Sequence, residues 1–117
     1  MGLQIKCEQQ ANNTVYFTLS GEIDGNTAPH LEAELARFFT ITQGVITVDF
    51  GSVSYMDSTG LGVLVGTYKA MVANKSQLII TEVSERLFRL FSITGLDNIM
   101  TIIRQKKDGI VDDNKKR

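Results

Sequence analysis

The chain has little of what small proteins use to brace themselves or to carry out covalent chemistry. Cys7 is its one cysteine, so no intrachain disulfide can form. In an alternating strand pattern it reads as a small core residue, and a reducing compartment fits it best. His30 is the one histidine. No second imidazole exists to share a metal or complete a triad, and His30 falls on the polar side of a helical pattern, so it reads as a surface residue. No apolar run approaches the roughly 20 residues needed to span a bilayer. The opening "MGLQIKCEQQ" lacks the apolar centre of a signal peptide. A Met-Gly start invites myristoylation, but position 6 is Lys rather than Ser or Thr, and Gln4 to Lys6 read as a strand. No basic block lies inside the folded part and the formal net charge is −1, which argues against nucleic acid as the main partner. These absences point to a soluble cytoplasmic protein that needs no metal, cofactor or membrane.

What is present is ordinary for a globular protein. With 117 residues, 43% hydrophobic and 21% charged, one domain can build its core without staples. "LQIKCEQ" alternates, with Leu3, Ile5 and Cys7 on one face, and "VYFTLSG" alternates through Val15, Phe17 and Leu19. Asn12 and Asn13 between them supply the positive φ angles of a tight hairpin. A loop marked by Gly21, Asp24, Gly25 and Asn26 precedes a helix capped by Asn26 or Thr27, with Pro29 in its first turn. Leu31, Leu35, Phe38 and Phe39 form its core stripe. The runs at 45–50, 77–81 and 100–104 are rich in β-branched residues and nearly continuous, as in strands covered on both faces. Between them lie a helix from about Ser58 to Ala73 and another that starts at the cap Ser84, buries Leu87, Leu90 and Phe91, and stops at Gly95. The order β-β-α-β-α-β-α-β predicts an α/β fold, a mixed sheet with parallel crossovers covered by helices, over residues 1–105. Residues 106–117 read as a charged, flexible tail.

The stretch "YMDSTGLGVLVG", residues 55–66, carries the functional signal. Gly60, Gly62 and Gly66, with Glu82 further on, imitate a dinucleotide fingerprint. That fingerprint needs its first glycine at the end of a strand. If the strand ends near Phe50, residues 51–59 intervene and the glycines fall inside the helix, so a nucleotide-dependent oxidoreductase is disfavoured. A hydrolase elbow around Ser58 fails because position 56 is Met rather than Gly. No nucleophile–base pair is recognisable, and a Walker loop fails for want of Gly-Lys-Ser/Thr. What remains is a helix N-terminus, with Asp57 or Ser58 as cap, that presents a hydroxyl to a partner. Glycines inside a helix cost roughly 1 kcal/mol each, so Gly62 and Gly66 imply close approach on that edge. The approaching surface is either the protein's own sheet or an outside partner.

"SYMDSTGLGVLVGTYKAM" resembles the signature of STAS-domain anti-anti-sigma factors, in which Asp-Ser-Ser/Thr-Gly-Leu-Gly follows the third strand. "LSGEID" at 19–24 is similar to that family's loop after the second strand, and "SERLFRLFSITGLDNI" to its third helix, particularly in the general-stress branch. The resemblance spans about residues 3–104. It implies that Ser58 is phosphorylated by an anti-sigma factor that is also a serine kinase, with Thr59 the neighbouring rival. The unphosphorylated form would bind the kinase and release a sigma factor, and a PP2C-type phosphatase would reset the switch. Glu22, Asp24, Thr27, Asp57, Thr59, Gly60 and Gly62 would share the partner contact. The protein would then be a substrate and binding module rather than an enzyme. Other STAS modules, a stressosome-like scaffold or a piece of an anion transporter, are the alternatives.

Overall fold

The structure, a computed structural model, describes residues 2–106. Strands β1 (Leu3–Gln10) and β2 (Thr14–Ile23) form an antiparallel hairpin. Asn12 and Asn13 turn it at φ 65° and 58°, as the two asparagines imply. Helix α1 (Ala28–Ala36), strand β3 (Val45–Met56), helix α2 (Ser58–Ala73), strand β4 (Gln77–Val83), helix α3 (Glu85–Ile93) and strand β5 (Thr101–Arg104) follow, with one short 3-10 turn at Leu96–Asn98. The element order is the expected one. The expected tail at 106–117 lies, apart from Lys106, outside the described residues.

The sheet runs β1-β2-β3-β4-β5, with β2 to β5 parallel. Each helix links a strand to the neighbour beside it, and all three links step the same way. Right-handed connections that keep stepping one way lay their helices on one face. Burial follows that rule. Phe17, Val48 and Ile80 form one row across three strands and are fully buried, whereas the next row, Tyr16, Thr47 and Ile79, is only half-buried. The strands are therefore covered on one face, not on both as their β-branched runs suggest. Threonines and Tyr16 line the open side.

The core is fixed by aromatic edges. Phe91 of α3 meets Phe50 of β3 at 6.4 Å between ring centroids. Phe38 meets Phe17 at 5.8 Å. Phe38 lies past the end of α1, in the turn that follows Ala36, so the core stripe outlasts the helix expected to carry it. At the N-terminal ends of the parallel strands, Ser76 is 6% exposed and ties two connections together. Its hydroxyl donates to the Ile41 carbonyl at 2.8 Å and accepts from the Gly44 N–H at 3.0 Å. The Asn74 side-chain amide donates to the Phe39 carbonyl beside it.

A buried N–H left without its acceptor costs its desolvation, about 1–3 kcal/mol. Ser76→Ala should therefore lower the unfolding free energy by that amount in urea denaturation. Ser54→Ala, which removes an exposed hydroxyl bonded to the Gly21 carbonyl, should change it by less than about 0.5 kcal/mol. Equal effects would mean that the Ser76 junction is not what holds the two connections.

Candidate functional site

The site forms where β2 and β3 outrun the rest of the sheet. β3 leaves β4 at Asp49, opposite Thr81, yet it stays paired with β2 until Ile23 meets Met56. The strand therefore does not end near Phe50. It continues for six more residues, and Asp57 alone separates it from α2. The glycines still fall inside the helix, as expected, but for a different reason than a long intervening loop. The Asp57 N–H donates to the Ile23 carbonyl at 3.2 Å and closes the ladder. The residues that follow each strand, Asp24 and Asp57, thus leave the sheet side by side. Ligands of parallel sheets gather at these carboxyl ends.

Asp57 is the N-cap of α2. Its extended backbone (φ −114°) and its carboxylate, which accepts the Thr59 N–H at 3.0 Å, are what a cap requires. The same oxygen, Oδ1, accepts the Thr59 hydroxyl at 2.5 Å. That hydroxyl, with the N–H groups of Thr59 and Gly60, holds the Asp57 carboxyl below the usual carboxylate range. Ser58, the first helical residue, is exposed, and among the described residues its hydroxyl has no hydrogen-bond partner. The two adjacent hydroxyls differ in this respect: one is held, the other is open.

Across from them, the loop after β2 is knitted by its own side chains. Asp24 Oδ1 accepts the N–H groups of Asn26 (2.9 Å) and Thr27 (3.1 Å). The Thr27 hydroxyl donates to the Glu22 carbonyl at 2.8 Å and accepts the Asp24 N–H at 2.9 Å. Thr27 occupies the N-cap position of α1 but makes no side-chain cap bond, because its hydroxyl is engaged in the loop. Asp24 is thus a turn-former, and Glu22, Asp24 and Thr27 are joined in the loop that leaves β2 where the Asp57 N–H meets the Ile23 carbonyl. Gly25, Ala28 and Pro29 on this side and Thr59, Gly62 and Val63 on the other line a shallow groove between the two helix starts. On the far flank Tyr55, 49% exposed, lines a second depression with Leu90 and Arg86, whose guanidinium donates to the Ser54 carbonyl at 2.7 Å. Val63, Tyr55 and Arg86, which line these depressions, were not among the residues expected at the contact, and Gly25 was expected only as a loop marker.

The glycines divide into two kinds. Gly60 is buried, and a Cβ there would sit 2.6 Å from Met56 Cγ and 2.7 Å from Ile23 Cγ2. It lets α2 approach its own strands and offers no surface to a partner, which corrects its place among the contact residues. Gly62 and Gly66 are exposed and have open space where a Cβ would go. No internal packing requires them. No set of three or more His, Cys, Asp or Glu residues is placed to hold a metal among the described residues. No described helix is long and apolar enough to cross a membrane.

The model of the STAS domain matches residues 4–109. The chain is 40% identical over 103 residues to the anti-sigma-B factor antagonist of Listeria monocytogenes, covering 87% of this chain and 90% of that protein. It is 41% identical over 103 residues to the anti-sigma-B factor antagonist of Bacillus subtilis, covering 87% and 93%. Among solved structures, the phosphorylated form of SpoIIAA, a Bacillus cell fate determinant, has the same fold, with a TM-score of 0.69 and 24% identity over 85% of this chain and 90% of that one.

Two predictions follow from the geometry. Gly60→Ala should destabilise by about 1–3 kcal/mol through overpacking, whereas Gly62→Ala and Gly66→Ala should each stabilise by up to about 1 kcal/mol; thermal unfolding reads the opposite signs. Second, carbon-13 NMR should show the Asp57 carboxyl titrating below the ordinary carboxylate range, and Thr59→Val should bring its midpoint back up. A depressed folded-state pKa contributes stability above the unfolded value and loses it as pH falls through the folded one. The acid side is therefore where the pair weakens. An unmoved midpoint in Thr59→Val would remove the Thr59 hydroxyl as the cause.

Proposed function

The chain belongs to the STAS domain family, and we propose on that premise that it is an anti-sigma factor antagonist switched by phosphorylation of Ser58. In its unmodified form it binds an anti-sigma factor that is also a serine kinase, and so frees a sigma factor. Phosphorylated, it lets go, and a PP2C-type phosphatase restores it. The protein is substrate and binding module, not enzyme, and works in the cytoplasm without a nucleic-acid partner. The observation that carries this reading is the open Ser58 hydroxyl at the start of α2, in a chain 40% identical to an anti-sigma-B factor antagonist.

The physics of the switch is local. A phosphate adds roughly −1.5 to −2 charges at pH 7. On the first residue of a helix that charge is tolerated, and the dipole favours it by up to about 2 kcal/mol. The domain therefore stays folded. Against a partner the balance reverses. The phosphate would join Asp57 and Asp24 in one acidic rim, and burying it there without a cation costs several kcal/mol. About 4 kcal/mol corresponds to a thousandfold loss of affinity.

The test uses wild type, Ser58→Ala and Ser58→Asp as baits on lysate of the source bacterium, once circular dichroism shows all three folded. Ser58→Ala should retain an ATPase-fold kinase and Ser58→Asp should not, with affinity down on the order of a thousandfold by calorimetry. If all three hold the same proteins, or none holds a kinase, Ser58 is not the switch. A large particle by size-exclusion chromatography would then favour the scaffold role.

A further inference from the structure

We propose that Asp57 decides which of two adjacent hydroxyls takes the phosphate: its carboxylate holds the Thr59 hydroxyl and leaves Ser58 as the acceptor. This rests on the reading of Ser58 as a phosphoacceptor and adds the residue that sets the choice. Asp57 is a positioning residue in this role, acting through Thr59 rather than on the reacting atoms.

Exposure does not separate the two hydroxyls. Ser58 and Thr59 are both exposed, they are neighbours, and both lie in the first turn of α2. What separates them is hydrogen bonding. Asp57 Oδ1 takes both the N–H and the hydroxyl of Thr59, at 3.0 and 2.5 Å, while the Ser58 hydroxyl has no partner among the described residues. The first of these bonds anchors the carboxylate to the helix, so it cannot swing away without uncapping α2.

In the transfer itself, a hydroxyl oxygen attacks the γ-phosphorus of a nucleoside triphosphate. The bond from that phosphorus to the bridging oxygen breaks, the diphosphate leaves, and the hydroxyl proton passes to a base on the kinase. The Ser58 hydroxyl can turn its lone pair to phosphorus and its proton to that base. The Thr59 proton is already given to Asp57, and the oxygen must leave that bond before it can align. A carboxylate beside a hydroxyl can also act as a base and activate it. Asp57 is ill suited to that, because the Thr59 and Gly60 donors hold its carboxyl low. The contact restrains Thr59 rather than activating it.

The variants Asp57→Asn and Asp57→Ala separate this from simple helix capping. Asn caps as well as Asp but offers Thr59 a neutral acceptor, whereas Ala offers none. Wild type and both variants, each checked for fold, are driven to maximal labelling with the anti-sigma kinase retained by the bait experiment and ATP. Fragmentation mass spectrometry then gives the Thr59-to-Ser58 phosphate ratio, which is independent of how tightly each variant binds. The ratio should be far below one in wild type, rise about five- to tenfold in Asp57→Asn, where a neutral bond replaces a charged one, and about ten- to a hundredfold in Asp57→Ala, where the bond is lost. A ratio unchanged in Asp57→Asn and raised in Asp57→Ala alone would assign the effect to fraying and overturn the proposal. So would substantial Thr59 phosphate in wild type, or variants that take no phosphate while wild type does, which would make Asp57 part of recognition. Absence of phosphate on wild type itself would instead overturn the reading of Ser58 as acceptor, and this proposal with it.

Discussion

Everything at this site depends on the pairing of β2 with β3 beyond the point where β4 drops away. Ile23 opposite Met56, closed by the Asp57 N–H on the Ile23 carbonyl, fixes where strand gives way to helix. Gly60 then lets the first turn of α2 settle against those same two side chains. If that pairing slipped by one residue, Ile23 and Met56 would no longer share a face, and Gly60 would lose the surface it packs on. The cap, the open serine and the neighbouring acidic loop are consequences of that register.

The sheet's connectivity explains why the site has two walls. Parallel strands that step one way put α1 and α2 side by side on one face, so their N-termini lie next to each other at the carboxyl end of the sheet. The groove between Gly25 and Gly62 is the gap left where two helix starts meet. At the opposite end, Ser76 and Asn74 bind the connections that precede β3 and β4 to each other. One end of the sheet is tied by buried hydrogen bonds. The other ends in a rim of short polar side chains that hold their own loops.

Much of this was legible in the sequence, and the parts that were not share a cause. The hairpin was written in two asparagines, and the limits of α2 in an apolar run preceded by Asp57 or Ser58 as cap, of which the structure selects Asp57. The end of β3 was hidden because "GSVSYM" has the composition of a loop. The strand survives there through irregular register, with shifts between Thr18 and Ser20 and between Gly21 and Glu22 that break the alternation a reader looks for. The same effect extends β4 to Val83 past Glu82, which sits at φ 59° beside a register shift. One-sided covering was hidden because apolar residues such as Val45 and Ile79 sit half-buried among neighbours on the open face. Two roles were invisible in principle. Burial of Gly60 and exposure of Gly62 depend on helix phase against β2 and β3, not on the glycines themselves. Serine and threonine side by side are chemically alike until a carboxylate takes a hydrogen bond from one of them.

The same parts would let the domain keep its fold if Ser58 carried a charge, as the proposed switch requires. Everything that anchors the first turn of α2 lies inward or along its edge: Gly60 against Met56 and Ile23, the Asp57 N–H on the Ile23 carbonyl, the Thr59 N–H on the Asp57 carboxylate. Ser58 contributes to none of these. A phosphate placed on it meets no packed side chain and breaks no hydrogen bond. The Asp57 carboxyl, held low, stays ionised, so the new charge adds to an existing one rather than replacing it. Repulsion between the two falls where solvent screens it in the free protein. A partner seated on the rim would exclude that solvent, and the same pair of charges would then weigh fully. On the proposed switch, the asymmetry between a tolerant free state and an intolerant bound state would arise from where the anchors lie, with no movement of the sheet or of α2.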